Sequence, residues 1–170
     1  GQVFTADGYT FPTPFDKRVH KAIEYLITQR GAPIENPFPF TAYEVLKVLG
    51  MDPHSGANIA KVRESVERIT VTTIRGERTI YSKAKNRRIE GRVFRVFDQL
   101  IYSGEEKADG TGSQRHMVKL STWYLENLER NHVRPLDFAY YKALGNDAAC
   151  RLYELVGLPF YGVFMNKSAA

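Results

Sequence analysis

Residues 41–74 read TAYEVLKVLGMDPHSGANIAKVRESVERITVTTI, and the fold turns on how that stretch is parsed. Thr41 stands three residues before Glu44, the spacing of a capping box, so a helix opens there. Val45, Leu46 and Leu49 give that helix an apolar side, and Gly50 stops it. Asp52-Pro53-His54 makes a turn. Ser55 then caps a second helix, in which Ile59, Val62, Val66 and Ile69 fall on one face. Short helix, tight turn and longer helix follow the helix-turn-helix order. The β-branched run Thr70-Val71-Thr72-Thr73-Ile74 predicts a strand, Arg75-Gly76-Glu77 a turn, and Thr79-Ile80-Tyr81 the return. A hairpin placed directly after such a helix pair reads as a wing.

Outward from this centre, Pro12 and Pro14 punctuate the start of an earlier helix, with Asp16 in its dipole-favoured first turn. Val19, Ile23, Leu26 and Ile27 form its stripe, and Gly31 with Pro33 ends it. The first ten residues lack periodicity and read as an arm or a frayed strand. Asn36-Pro37-Phe38-Pro39-Phe40 reads as an extended linker, because residues before proline avoid the helical region. Downstream, 83–91 reads as a polar basic connection, and a strand is predicted from Val93 to Tyr102. A flexible loop spans 104–114, and His116 to Leu120 pairs back as a second hairpin. Helices follow at Ser121/Thr122–Leu128, Leu136–Leu144 and Ala148–Val156, and Phe160–Phe164 is a candidate final strand. The expected fold class is therefore α+β: a winged helix-turn-helix with two β-hairpins and additional C-terminal helices. Its expected divisions are an arm at 1–14, a domain at 15–157 and a tail at 158–170.

Composition bounds the function classes. Of 170 residues, 43% are hydrophobic and 12% aromatic, enough for one ordinary core. No apolar run approaches the roughly 20 residues of a membrane span, so a cytoplasmic chain with no membrane partner is expected. Gly1 in place of Met reads as a tag remnant on a piece of something longer. The lone Cys150 leaves no intrachain disulfide and reads as a small buried hydrophobe. The net charge is +5, but its placement is uneven. From Lys61 to Arg95 there are eleven Lys/Arg against four Glu, +7 locally, so the other residues sum to −2. A localised basic patch suits a polyanion.

With the apolar stripe inward, Ala57, Ala60, Lys61, Glu64 and Arg68 of the second helix turn outward, and Arg63 and Glu67 flank them. Lys61 and Arg68 can reach phosphate or guanine edges, while Ala57 and Ala60 admit the helix to a major groove. Ser55, with Asn58 in the same first turn, suits a phosphate. The wing and its extension supply Arg75, Arg78, Lys83, Lys85, Arg87, Arg88 and Arg92 along the adjacent backbone, where contacts position but carry little sequence information.

Several segments together resemble the plasmid replication initiator protein A family: Phe40–Leu46, Ser55–Asn58, Val62–Ile69 and Thr72–Ile74. Leu120–Leu128, Arg134–Tyr141 and Arg151–Leu155 continue the resemblance, which runs from about 15 to 157. It implies a protein that binds duplex repeats at an origin, helps open it, docks host replication proteins and represses its own gene. Such initiators carry two winged-helix units, of which this chain would hold the leading one, a unit that can also make a homodimer.

Other chemistry finds little support. His20, His54, His116 and His132 are scattered without metal-ligand spacing, so no metal or other cofactor is expected. Tyr140-Tyr141 lacks the histidine motif of a nicking enzyme, and Gly110-Thr111-Gly112-Ser113 lacks the lysine of a phosphate loop. Trp123 reads as a packing anchor, and no enzyme is expected. The competing readings are a dimeric winged-helix transcriptional regulator, which would favour a lone palindrome over tandem repeats, and a protein-interaction module with an incidental basic patch.

Overall fold

The computed structural model describes residues 2–4, 8, 10–76, 80–82, 87–89, 92–103, 115–129 and 137–155. These fall into two compact units, 1–129 and 130–170. The fold is α+β, with small antiparallel sheets.

In the first unit, helix α1 (Pro14–Arg30) opens on a capping box. Thr13 accepts from the Asp16 amide, Asp16 accepts from the Thr13 amide, and Pro14 takes the first position. Strand β2 (Phe38–Thr41) leads into α2 (Ala42–Leu49), capped reciprocally by Thr41 and Glu44 and closed by Gly50 at φ 72. That left-handed turn is cheap only for glycine. Helix α3 (Gly56–Val71) begins on Ser55, whose hydroxyl accepts from the Asn58 amide. Phe38-Pro39-Phe40, expected as a linker, is thus a strand. Strand order β2-β8-β7 leaves β2 at an edge, where proline's missing N–H goes unmissed.

The run expected as a strand from Thr70 stays helical through Val71. Thr70 and Thr72 each turn a hydroxyl onto the carbonyl four residues back, on Val66 at 2.8 Å and Arg68 at 2.5 Å, so the β-branched residues serve the helix end. The predicted hairpin at 70–82 is also corrected. Strand β3 (Thr73–Gly76) pairs with β1 (Gln2–Phe4) and β6 (Arg92–Phe94), while β4 (Ile80–Ser82) pairs with β5 (Arg87–Ile89). Chain thus runs out through β3 and β4 and back through β5 and β6, a nested arm longer than the short wing expected. Part of the stretch read as a connection, 87–89, is strand within it.

The long strand expected from Val93 to Tyr102 breaks at 95–96, and its halves join different sheets. Strand β7 (Phe97–Ser103) forms a hairpin with β8 (Arg115–Leu120), and β8 pairs on its other side with β2. The register is shifted between Phe97 and Gln99. In β8, His116, Val118 and Leu120 point inward, the alternation of a half-buried strand. Helix α4 (Thr122–Glu129) follows.

One core joins these elements: Val19, Ala22, Ile23 and Ile27 of α1, Val45 and Leu46 of α2, and Val62, Val66 and Ile69 of α3. Phe38, Phe40, Phe97, Val118 and Leu120 complete it from the sheet, and Tyr124 and Leu128 from α4. Trp123 packs edge-on against Phe94 and donates its indole N–H to the Arg95 carbonyl at 3.2 Å. In the second unit, α5 (Phe138–Ala143) and α6 (147–155) bury Phe138, Tyr141 and Cys150, whose thiol lies 3.4 Å from the Tyr141 carbonyl. The candidate strand at 160–164 lies outside the described residues.

Candidate nucleic-acid interface

Two adjacent surfaces of the first unit concentrate the candidate residues: α3, and the arm that leaves its end. On α3, Val62, Ser65, Val66 and Ile69 are buried, and Ile59 is half-buried. Gly56, Ala57, Ala60, Lys61 and Glu64 are exposed. The outward row therefore runs from small residues, Gly56, Ala57 and Ala60, to a cation and an anion, Lys61 and Glu64. Asn58 does not stand out with them. Its side-chain Nδ2 donates to the Asp52 carbonyl at 3.1 Å and ties the turn to the helix start. Ser55 spends its hydroxyl on the cap.

Arg68, expected outward, turns inward. Its Nε and Nη2 donate to the two carboxylate oxygens of Asp16 at 3.1 and 2.9 Å, a bidentate pair across 52 residues of chain. Asp16 is only 1% exposed and Arg68 18%. Burial pushes the Asp16 carboxyl up, but the Arg68 guanidinium and the Thr13 amide outweigh it and hold it below the ordinary 3.8. The same pairing raises Arg68. The third guanidinium nitrogen of Arg68 stands 3.8 Å from Glu64, whose side chain is 65% exposed.

Arg63 is also engaged. Its guanidinium lies over the Tyr102 ring, 5.4 Å from the centroid, and the Tyr102 hydroxyl donates to Glu67. The helix is thus clasped to β7 by its flank. Behind Tyr102 sits His116, 3% exposed, its ring 5.4 Å from Tyr102 and 5.6 Å from Phe40. Burial, and next the charge of Arg63, lowers the imidazole pKa below 6.5, while Glu67 opposes them. A second histidine, His20 on α1, donates from Nε2 to the Tyr124 hydroxyl at 2.9 Å, and that hydroxyl donates to Glu24. Desolvation lowers it as well, more than Glu24 raises it.

On the arm, Arg75 of β3 is exposed, and Arg95 reaches Thr73 at 3.3 Å. Arg87 and Arg88 lie on β5, opposite Ser82 and Tyr81, and Arg92 lies on β6 opposite Gly76. Arg78, Lys83 and Lys85 lie outside the described residues. Neither Asp16 nor Tyr102 is marked by the sequence as a partner of the candidate cations. The capping spacing of Thr13 and Asp16 was a visible signal, but it pointed only to a helix start. Among the described residues no group of His, Cys, Asp and Glu could hold a metal ion, and no helix is long and apolar enough to cross a membrane.

Three helices and a three-stranded antiparallel sheet, with a basic arm inserted between α3 and β7, make a mixed α+β module. The chain matches the model of the replication initiator protein A family over residues 5–158 and belongs to that family. Two structures of domains 2 and 3 of RctB, one of them of selenomethionine derivatives, share its fold, with TM-scores of 0.54 and 0.52. Identity is 20% and 18%, over 76% and 74% of this chain and 49% and 48% of theirs, so it spans about half their length. No curated protein matches the sequence.

Proposed function

We propose that the first unit is a winged helix that binds duplex repeats at a replication origin, as a binding module and not as an enzyme. The observation that carries this reading is the order α1-β2-α2-α3-β7-β8 closed by the sheet β2-β8-β7, which leaves α3 with one outward row of side chains. In this arrangement α3 enters the major groove. The β7–β8 hairpin is the wing beside it, in the place first given to 70–82. The arm of β3 to β6 lies along flanking phosphates, where Arg75, Arg87, Arg88 and Arg92 serve as non-specific cations. Membership of an initiator family supports the origin as the target. Homodimerisation and docking of host replication proteins are carried over from the same family resemblance.

The test is fluorescence anisotropy on a labelled random duplex and a labelled origin-repeat duplex over a salt series. Tighter binding to the repeat with a steep salt slope is expected. No binding to either at about 50 mM salt, where phosphate contacts are strong, would remove the proposal.

A further inference from the structure

Two of the arginines that sequence pattern assigns to DNA are held by protein groups, and this changes which residues are left to read bases. Arg68 gives two donors to buried Asp16, and Arg63 lies on Tyr102. Along the outward row of α3, Lys61 and Glu64 remain as polar side chains, three residues apart and so neighbours on one helix face. They differ in kind. An ammonium attracts phosphate everywhere on a duplex and also donates to guanine O6 and N7. A carboxylate repels phosphate everywhere, and that repulsion is offset only where a base amino group meets it, as the N4 amine of cytosine does. A glutamate in the middle of a DNA-facing row is therefore a poor general contact and a selective specific one.

The geometry of Arg68 bears on the same residue. Two of its nitrogens are committed to Asp16, which is itself fixed in the α1 capping box by the Thr13 amide at 2.6 Å. The rotation of α3 about its axis is thereby set against α1. The remaining nitrogen faces Glu64 at 3.8 Å, too long for a hydrogen bond but close enough to attract the carboxylate. We infer that Lys61 and Glu64 are the base-reading pair of α3, Glu64 selecting a base with an amino edge, and that the Asp16–Arg68 pair is the positioning device that sets their direction.

The inference rests on the duplex-binding reading above and is tested separately from it. The chain is used to select from a duplex library with a randomised core, and the selected and scrambled duplexes are then titrated over a salt series with wild type, Glu64→Gln, Lys61→Ala, Arg68→Lys and Arg68→Ala. Glutamine suits adenine as glutamate suits cytosine, so Glu64→Gln should switch the preferred base at one position from cytosine to adenine. Its discrimination against the old base should change roughly tenfold or more. Lys61→Ala should lose preference at a neighbouring guanine. Arg68→Lys, which keeps the charge but loses the fork, should blur preference at the Glu64 position. Arg68→Ala should leave the salt slope on the scrambled duplex unchanged, since a phosphate contact is not what Arg68 supplies.

An unchanged base preference in Glu64→Gln would overturn the inference, and this exposed residue can be replaced without touching the core. An Arg68→Ala salt slope lower by about one phosphate contact would overturn the positioning role. Wild type that binds duplex but selects no sequence would overturn the inference and leave duplex binding standing. Wild type that binds no duplex would bring down both.

Discussion

The two ends of helix α3 use similar residues for opposite purposes. The first half, with Glu64 just past its middle, presents Ala57, Ala60 and Lys61 to solvent. Beyond Glu64, Arg68 is tied to Asp16, Glu67 to Tyr102, and Thr70 and Thr72 to helix carbonyls. A cation on this helix is structural or available according to what lies opposite it in space, and helical spacing cannot reveal that. The difference implies a division of labour, in which the second half fixes the helix so that the first half can be offered rigidly to a partner.

The most forceful way to break that division is to remove Asp16. Asp16→Ala leaves Arg68 partly buried without its anion and removes half of a capping box, and should cost about 3 kcal/mol in urea unfolding. Lys61→Ala, on the other half of the same helix, should stay within about 0.5 kcal/mol of wild type. Similar losses for the two would abolish the distinction.

Acid sharpens the comparison in another way, because His116 is buried behind Tyr102 and His20 is half-buried between α1, Phe97 and Tyr124. His116 and His20 have folded-state pKa values below the ordinary 6.5. The unfolded chain therefore takes up protons near pH 6.5 that the folded chain refuses. Stability contributed by the neutral rings is complete above that pH and declines as the pH falls below it. The carboxylates that are also lowered, Asp16, Glu24 and Glu44, have ordinary values of 3.8 and 4.5 and act lower in pH. Between pH 6.5 and 5, unfolding free energy should fall by up to about 1.4 kcal/mol per pH unit for each histidine. His116→Phe, which keeps a ring between Phe40 and Tyr102, should reduce that slope. A flat profile from pH 7 to 5 would contradict it.

What the sequence made legible is mostly what is local. The caps at Thr41 and Ser55 and the stripes of α1 to α3 are set by residues within a turn or two of one another, and the structure has them where pattern puts them. The pairing of strands is not local. Nothing near Ile74 reveals that its partners are Val3 and Phe94 and not the strand that follows it. Phe38-Pro39-Phe40 looks like a linker by its prolines, and only its edge position beside β8 makes it a strand. The site divides along the same line. Ala57, Ala60, Lys61 and Glu64 face outward by periodicity alone, while the direction of Arg68 depends on an aspartate 52 residues earlier.

The contact between Tyr102 and α3 carries the smallest effect and tests whether the sheet shares in fixing the helix. Tyr102 accepts Arg63 on its ring face and donates to Glu67, yet its own side is partly open to solvent. A partly exposed cation–π contact contributes about 0.5–1 kcal/mol, and an exposed polar bond a similar or smaller amount. Tyr102→Phe keeps the ring and loses only the hydroxyl, so it should cost less than Tyr102→Ala, and both should cost less than Asp16→Ala. If β7 helps to hold α3, Tyr102→Ala should also raise amide hydrogen exchange in the last turns of α3 more than in its first turns. Faster exchange confined to β7 would mean that the helix is fixed from α1 alone, and that Asp16–Arg68 does the anchoring without help from the sheet.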